Sequence, residues 1–174
     1  MKRWSALMLG AAALAAAGAM AAETPKSGGL LKFAVSAEPP NYDCHANSSF
    51  AFIHPIRPHY STLLKFDTAK YPAIKGDLAE SWTVAKDGLT YTFKLKKGVK
   101  FHDGSTFTAA DIKATYDRLR DPPPGVLSLR QGTYADIATI ETPDPLTVVF
   151  KLKKPNASML ANFASPGDCG YSAA

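Results

Sequence analysis

Apolar and polar residues alternate strictly on either side of Asp87-Gly88. Trp82 and Val84 alternate with polar neighbours before the turn, and Tyr91, Phe93 and Leu95 do so after it. Side chains two apart on a strand share a face, so a tight-turn dipeptide between two such runs predicts a β-hairpin. Lys97-Gly98 makes a further turn, and Val99 and Phe101 give a third short apolar pair before His102-Asp103-Gly104. Residues 137–141 and 146–152 flank Thr142-Pro143-Asp144-Pro145 and predict a second hairpin, in which Val148, Phe150 and Leu152 alternate cleanly. Earlier, residues 30–35 read as a short buried strand ended by Ser36-Ala37-Glu38-Pro39-Pro40. Residues 60–66 carry an apolar rhythm that suits the end of a helix or a strand.

One helix is well marked. Thr108 and Asp111 fit a capping box, and Phe107 and Ile112 occupy the positions of a hydrophobic staple. Ile112, Tyr116 and Leu119 recur at helical spacing, and Asp121-Pro122-Pro123-Pro124-Gly125 must end the helix near Arg120. Asn156 is placed to cap a short helix carrying Met159, Leu160 and Phe163. Residues 41–60, broken by Pro55 and Pro58, read as irregular. The elements between residues 70 and 165 imply an α+β fold, an antiparallel sheet covered by one or two helices.

The start of the chain has a different character. Met1-Lys2-Arg3 is a short basic region, followed by an uncharged Ala-, Leu- and Met-rich run to about Met20, and Ala19-Met20-Ala21 supplies the small residues of a cleavage site. This is the layout of a secretory signal peptide, assigned to residues 1–22 with cleavage near Ala21 or Ala22. The run is short and alanine-rich for a membrane anchor. Export would place the mature chain in the periplasm.

Charge narrows the partners. The 174-residue chain carries a formal charge of +5, but Lys2 and Arg3 leave with the signal. The remaining lysines are scattered apart from Lys94, Lys96, Lys97 and Lys100, which suit a solvated sheet face better than the dense patch nucleic acid requires. Neither nucleic acid nor a cofactor is expected. The two cysteines, Cys44 and Cys169, are a candidate disulfide in an oxidising compartment, though one sequence does not establish the pairing.

Three constellations suggest sharper chemistry. Cys44, His45, His54 and His59 raise metal binding, but the spacings lie in a proline-broken segment, and loop packing or pocket lining explains them better. His102-Asp103 resembles an acid–base pair, yet adjacent strand residues point to opposite faces, and a turn with Gly104 accounts for both. Cys44 as a nucleophile lacks a defined base. No catalytic and no metal residues are assigned.

Four segments together carry a family resemblance: Leu78-Ala79-Glu80-Ser81-Trp82, the run from Asp87 to Leu95, the run from Gly98 to Gly104, and Phe107-Thr108-Ala109-Ala110-Asp111-Ile112. They resemble the family 5 extracellular solute-binding proteins of ABC transporters, whose members bind dipeptides, oligopeptides, nickel chelates and related solutes. The resemblance implies a periplasmic binding protein-like fold of type II, with two ligand-clasping lobes and an additional inserted domain. Residues 23–65 would open the first lobe, residues 66–165 would form the inserted α+β domain, and residues 166–174 would begin the return to the first lobe. The chain is therefore expected to be truncated, an N-terminal part lacking the second lobe. The implied function is capture of peptides or a related small solute for delivery to an inner-membrane permease. The protein would be a monomer with no reaction of its own. A structural or interaction fragment from an interrupted reading frame is the alternative. Ligand contact is expected in the loop after the first strand, at Ser36, Glu38, Asn41, Tyr42 and Asp43, with a plain surface turn at Pro39-Pro40 as the competing reading.

Overall fold

Two hairpins build the main sheet of the computed structural model, which describes residues 27–30 and 32–173. The assigned signal peptide lies outside the described residues. Contacts divide the chain after Phe33, and among the described residues every helix and strand belongs to the unit from Ala34 onward. In chain order its elements are α1 (Phe50–Ile56), β1 (Leu64–Phe66), β2 (Ile74–Gly76), β3 (Ala79–Val84), β4 (Thr90–Leu95), α2 (Ala109–Arg120), α3 (Gln131–Tyr134), β5 (Ile137–Asp144), β6 (Thr147–Leu152) and α4 (Met159–Phe163).

The four-stranded sheet has the order β3-β4-β6-β5, antiparallel throughout, so the two hairpins join through β4 and β6. The turn between β3 and β4 uses Gly88 at φ 70°, a backbone region that costs most residues energy. Pairing Tyr91 with Phe150 and Phe93 with Val148 puts the alternating apolar residues of both strands on one face. Tyr91, Phe93, Leu95, Val148, Phe150 and Leu152 are all buried there. Trp82 packs against this core only partly, and Val84 is exposed, because β3 is an edge strand.

Helix α2 covers the buried face with Ile112, Tyr116 and Leu119, the stripe its spacing predicts. Its capping box forms: the Thr108 amide donates to Asp111 Oδ2 at 2.7 Å. Phe163 of α4 is the hub of the aromatic core. Its ring centroid lies 4.7 Å from Phe150, 5.2 Å from Phe93 and 5.4 Å from Tyr116. A second, smaller cluster joins the opening and closing segments: Cys44, Phe52, Ile56 and Cys169, with Tyr60 and Tyr171 packed against it.

Several expectations are corrected. Residues 41–60 are not irregular throughout, because α1 forms within them. Phe52 and Ile56, four apart, bury one side of it, and Pro55 falls in its last turn without stopping the ladder, since the Arg57 amide still donates to the Ile53 carbonyl at 3.1 Å. Residues 32–35 pair with no described strand, and Val35 is exposed. An apolar run becomes a strand only where an edge takes up its N–H and C=O groups. Of residues 60–66, Leu64–Phe66 form strand β1, which pairs with β2, so the strand alternative is the one that holds there. Strand β5 continues to Asp144, whose carboxylate accepts from the Leu146 amide at 2.8 Å and the Thr147 hydroxyl at 2.7 Å, tightening the second hairpin. Ser158, not Asn156, stands at the N-cap of α4. Asn156 shapes the preceding turn by accepting from the Ser158 and Met159 amides.

Candidate functional site

The loop expected to meet a ligand divides into two parts. Ser36, Glu38, Asn41 and Tyr42 are exposed and close together in sequence, with the Tyr42 hydroxyl donating to Glu38 at 3.4 Å. The Asn41 side chain accepts from the Asp43 amide at 3.0 Å, which bends the chain inward. Asp43 itself is half-buried and committed to the protein. It takes the Arg118 guanidinium through Nη2 at 2.6 Å and Nη1 at 3.3 Å, the His45 amide at 3.0 Å and the Tyr171 hydroxyl at 3.2 Å. Partial burial pushes the Asp43 carboxyl up, but the hydrogen bonds from Arg118, His45 and Tyr171 outweigh it and hold the group below the usual carboxylate range.

Helix α2 organises this cluster. Asp111, Thr115 and Arg118 stand four and three residues apart, on one side of the helix. Asp111 Oδ1 accepts from the Ala173 amide at 2.8 Å, and Thr115 Oγ1 accepts from the Tyr171 amide at 2.9 Å. Arg118 lies 5.3 Å from the Tyr171 ring centroid and reaches past it to Asp43. The closing segment is thus laid along α2, and Gly170 fixes its other side by donating to the Ser61 carbonyl at 3.2 Å.

His45 bridges the opening and closing segments as a neutral imidazole. Arg118 Nη1 sits 2.7 Å from its Nδ1, and the Cys169 carbonyl lies 3.2 Å from its Nε2. Guanidinium only donates and carbonyl only accepts, so Nδ1 must be the acceptor and Nε2 must carry the proton. Burial pushes the imidazole down to about 4, and the charge of Arg118 works in the same direction. Both ring nitrogens of His45 are thereby committed to protein partners rather than presented to an ion. His54 and His59 are exposed, and among the described residues no group of three His, Cys, Asp or Glu is placed to hold an ion. His102-Asp103 forms the expected turn, with Asp103 accepting from the Ser105 amide at 2.8 Å and the Gly104 amide donating to the Phe101 carbonyl.

Cys44 and Cys169 are buried free cysteines in one cluster, with Cys44 Sγ 3.4 Å from the Tyr171 hydroxyl and Cys169 Sγ 4.0 Å from the Pro166 carbonyl. Each thiol acts on the other, lowering Cys44 from its ordinary value and raising Cys169. Beside them, Gly167-Asp168 is locked from a third direction. The Asp168 carboxylate takes the Tyr134 hydroxyl, and Arg130 Nε lies 3.2 Å away without the alignment of a hydrogen bond. The sequence offered a signal for part of this cluster: the polar stripe of Asp111, Thr115 and Arg118 is as regular as the apolar one beside it. Arg130, Tyr134 and Tyr171 carried no such sign.

Two cavities, of about 180 and 520 Å3, open elsewhere on the surface. The smaller is lined by Tyr60, Phe101, His102 and Phe107 among others, and the larger by Arg120, Gln131 and Lys153 among others. Neither includes Ser36, Glu38, Asn41 or Tyr42.

Comparison with known proteins agrees with this fold. Over 101 residues the chain is 45% identical to the glutathione-binding protein GsiB of Escherichia coli O1:K1, a match covering 58% of this chain and 19% of the relative. The dipeptide-binding protein of Pseudoalteromonas sp. SM9913, solved in complex with Met-Leu, superposes with a TM-score of 0.71 at 28% identity, covering 79% of this chain and 30% of that one. The ABC transporter-associated periplasmic binding protein DppA of Helicobacter pylori, in complex with the peptide STSA, gives a TM-score of 0.66 at 28% identity, covering 76% and 28%. The chain thus spans about a fifth of the length of the curated relatives it matches. Residues 73–169 match the profile of the bacterial extracellular solute-binding proteins, family 5 middle region, and the chain belongs to that family.

Proposed function

We propose that this chain is part of a periplasmic solute-binding protein that captures peptides or a related small solute for an ABC importer. The observation that carries the reading is the family match over residues 73–169, made on a segment whose sheet, cap and core all form. Glutathione, Met-Leu and STSA, named for three of the similar proteins, are peptides, while agropinic acid and Ni(L-His), named for two others, are the related small solutes of this reading. In this reading residues 66–165 are the inserted domain and residues 23–65 the first part of a binding lobe. Ser36, Glu38, Asn41 and Tyr42 form the face turned to the solute, and Asp43 holds that face in place. The protein acts as a monomer and hands its solute to a permease of the inner membrane. Uptake of labelled glutathione and labelled Met-Leu, compared between the parent strain and one lacking this coding region, tests the proposal. Loss of uptake of either solute, restored by the intact region, supports it; unchanged uptake of both overturns it for peptides of this size.

A second reading rests on the chain spanning about a fifth of its curated relatives. Without the remaining walls of a cleft, the polypeptide alone would persist as a folded module that binds no solute. Titration of the isolated chain separates this from independent solute binding.

A further inference from the structure

The chain has two cysteines, and folding brings them together from opposite ends of the described unit. Each is about 1% exposed, and both belong to one small buried cluster with Phe52 and Ile56. The backbone on both sides is already tied at close range. The Cys44 amide donates to the Tyr171 hydroxyl at 3.2 Å, the Cys169 carbonyl accepts from His45 Nε2 at 3.2 Å, and the Gly170 amide donates to Ser61 at 3.2 Å. Few movements are left that would separate the two sulfurs in the folded chain. Their surroundings are apolar, from Phe52 and Ile56, so the pair contributes to packing whether or not it is bonded.

We propose that Cys44 and Cys169 are joined in the mature protein by a disulfide that fastens the opening segment to the closing segment beside the Arg118–Asp43 pair. The oxidant is a disulfide, either glutathione disulfide or the active-site disulfide of a thiol oxidoreductase. The Cys44 thiolate attacks one of its sulfurs, breaks that S–S bond and expels a thiolate. Cys169 then gives up its proton and attacks the Cys44 sulfur of the mixed disulfide, expelling the second thiolate. Two protein thiols are oxidised, one external disulfide is reduced to two thiols, and the protons released from the cysteines end on those products. Burial in the folded state shields both sulfurs, so the exchange takes place while the chain folds, before the small cluster closes. The bond would close a loop of more than a hundred residues, the regime in which a cross-link restricts the unfolded chain most. In the cell the inference rests on the export reading, because cytosolic thiols stay reduced.

The test uses the mature chain refolded in a glutathione redox buffer, denatured, treated with iodoacetamide and weighed, together with thermal melts with and without dithiothreitol. The expected result is no alkylated cysteine, a mass lower by two hydrogen atoms, and a melting temperature that falls by roughly 5–15 °C on reduction. The double variant Cys44→Ser, Cys169→Ser should melt near the reduced protein and ignore dithiothreitol. Full alkylation of both cysteines after oxidative refolding overturns the inference. The same alkylation on protein taken directly from cells separates the two readings. A bond that forms in the buffer but is missing in cells supports the pairing and contradicts export.

Discussion

Arg118 grips Asp43 across 75 positions of sequence, with Nη2 2.6 Å from Oδ2 and Nη1 3.3 Å from Oδ1. Both side chains are less than a third exposed, so the pair is shielded from water more than a surface ion pair. The planar fork matches a carboxylate in a way an ammonium does not. Arg118→Ala is expected to lower stability by about 2 kcal/mol, and Arg118→Lys by about half as much. As a control, Lys151→Ala breaks a pair with Glu141 in which both partners are 49% exposed, and should cost less than about 0.5 kcal/mol. Urea denaturation of the three variants makes the comparison; equal losses for Arg118→Ala and Lys151→Ala would show that Asp43 is held by something else.

Asp168 and His45 give opposing pH dependences. Burial pushes Asp168 up to about 7 against the pull of Arg130. The folded state therefore keeps a proton that the unfolded chain loses near pH 4, and stability falls as the pH rises from about 4 to about 7, by roughly 4 kcal/mol. Burial pushes His45 down to about 4. Here the unfolded chain binds the proton first, so stability is lost as the pH falls from about 6.5 to about 4, by roughly 3 kcal/mol. The two slopes oppose each other between pH 4 and 6.5. Asp168→Asn should leave stability that rises with pH in that window, and His45→Gln should leave stability that falls. Denaturation midpoints measured at several pH values check this, and parallel profiles for the two variants would contradict it.

Gly167 has no room for a side chain. A β-carbon there would overlap the Arg130 guanidinium, which donates to Ser165 at 2.7 Å and neighbours Asp168. Gly167→Ala should therefore displace Arg130 and cost about 2 kcal/mol. In an Arg130→Met background the same change should cost clearly less, because the conflict is shared. Additive losses in the double variant would place the strain in the backbone instead.

Export is checked by the N-terminus of the protein recovered from cells. Cleavage near Ala21 or Ala22 leaves a chain beginning at Ala22 or Glu23, found in the periplasmic fraction by N-terminal sequencing. An intact Met1 in the cytosolic fraction would contradict the signal-peptide reading.

Much of the sheet was legible because its determinants are local. Asp87-Gly88, the alternation at Tyr91, Phe93 and Leu95, and the Thr108–Asp111 capping box each specify structure within a few residues. Helix α1 was hidden because Pro55 reads as a breaker, while its burial depends on Cys169 and Tyr171, more than a hundred residues away. The candidate site was legible only as a position. The loop from Ser36 to Asp43 was singled out by its place after an apolar run and by the family resemblance, but nothing near Asp43 points to Arg118 or Tyr171 as its partners. Its pairing arises only when the closing segment lies along α2. His45 showed the same limit, since its role depends on a carbonyl at Cys169 that spacing cannot foretell.

The central claim is that this chain provides one face of a solute site whose other walls lie outside it. Small-molecule sites enclose most of their ligand, whereas Ser36, Glu38, Asn41 and Tyr42 present an exposed face that lines neither cavity. Isothermal titration of residues 23–174 with glutathione and with Met-Leu tests this directly. The account predicts no saturable binding tighter than roughly 1 mM for either peptide. Saturable micromolar binding by the folded chain, abolished by alanine at Tyr42 and Asn41, would contradict it by showing a site complete within these residues.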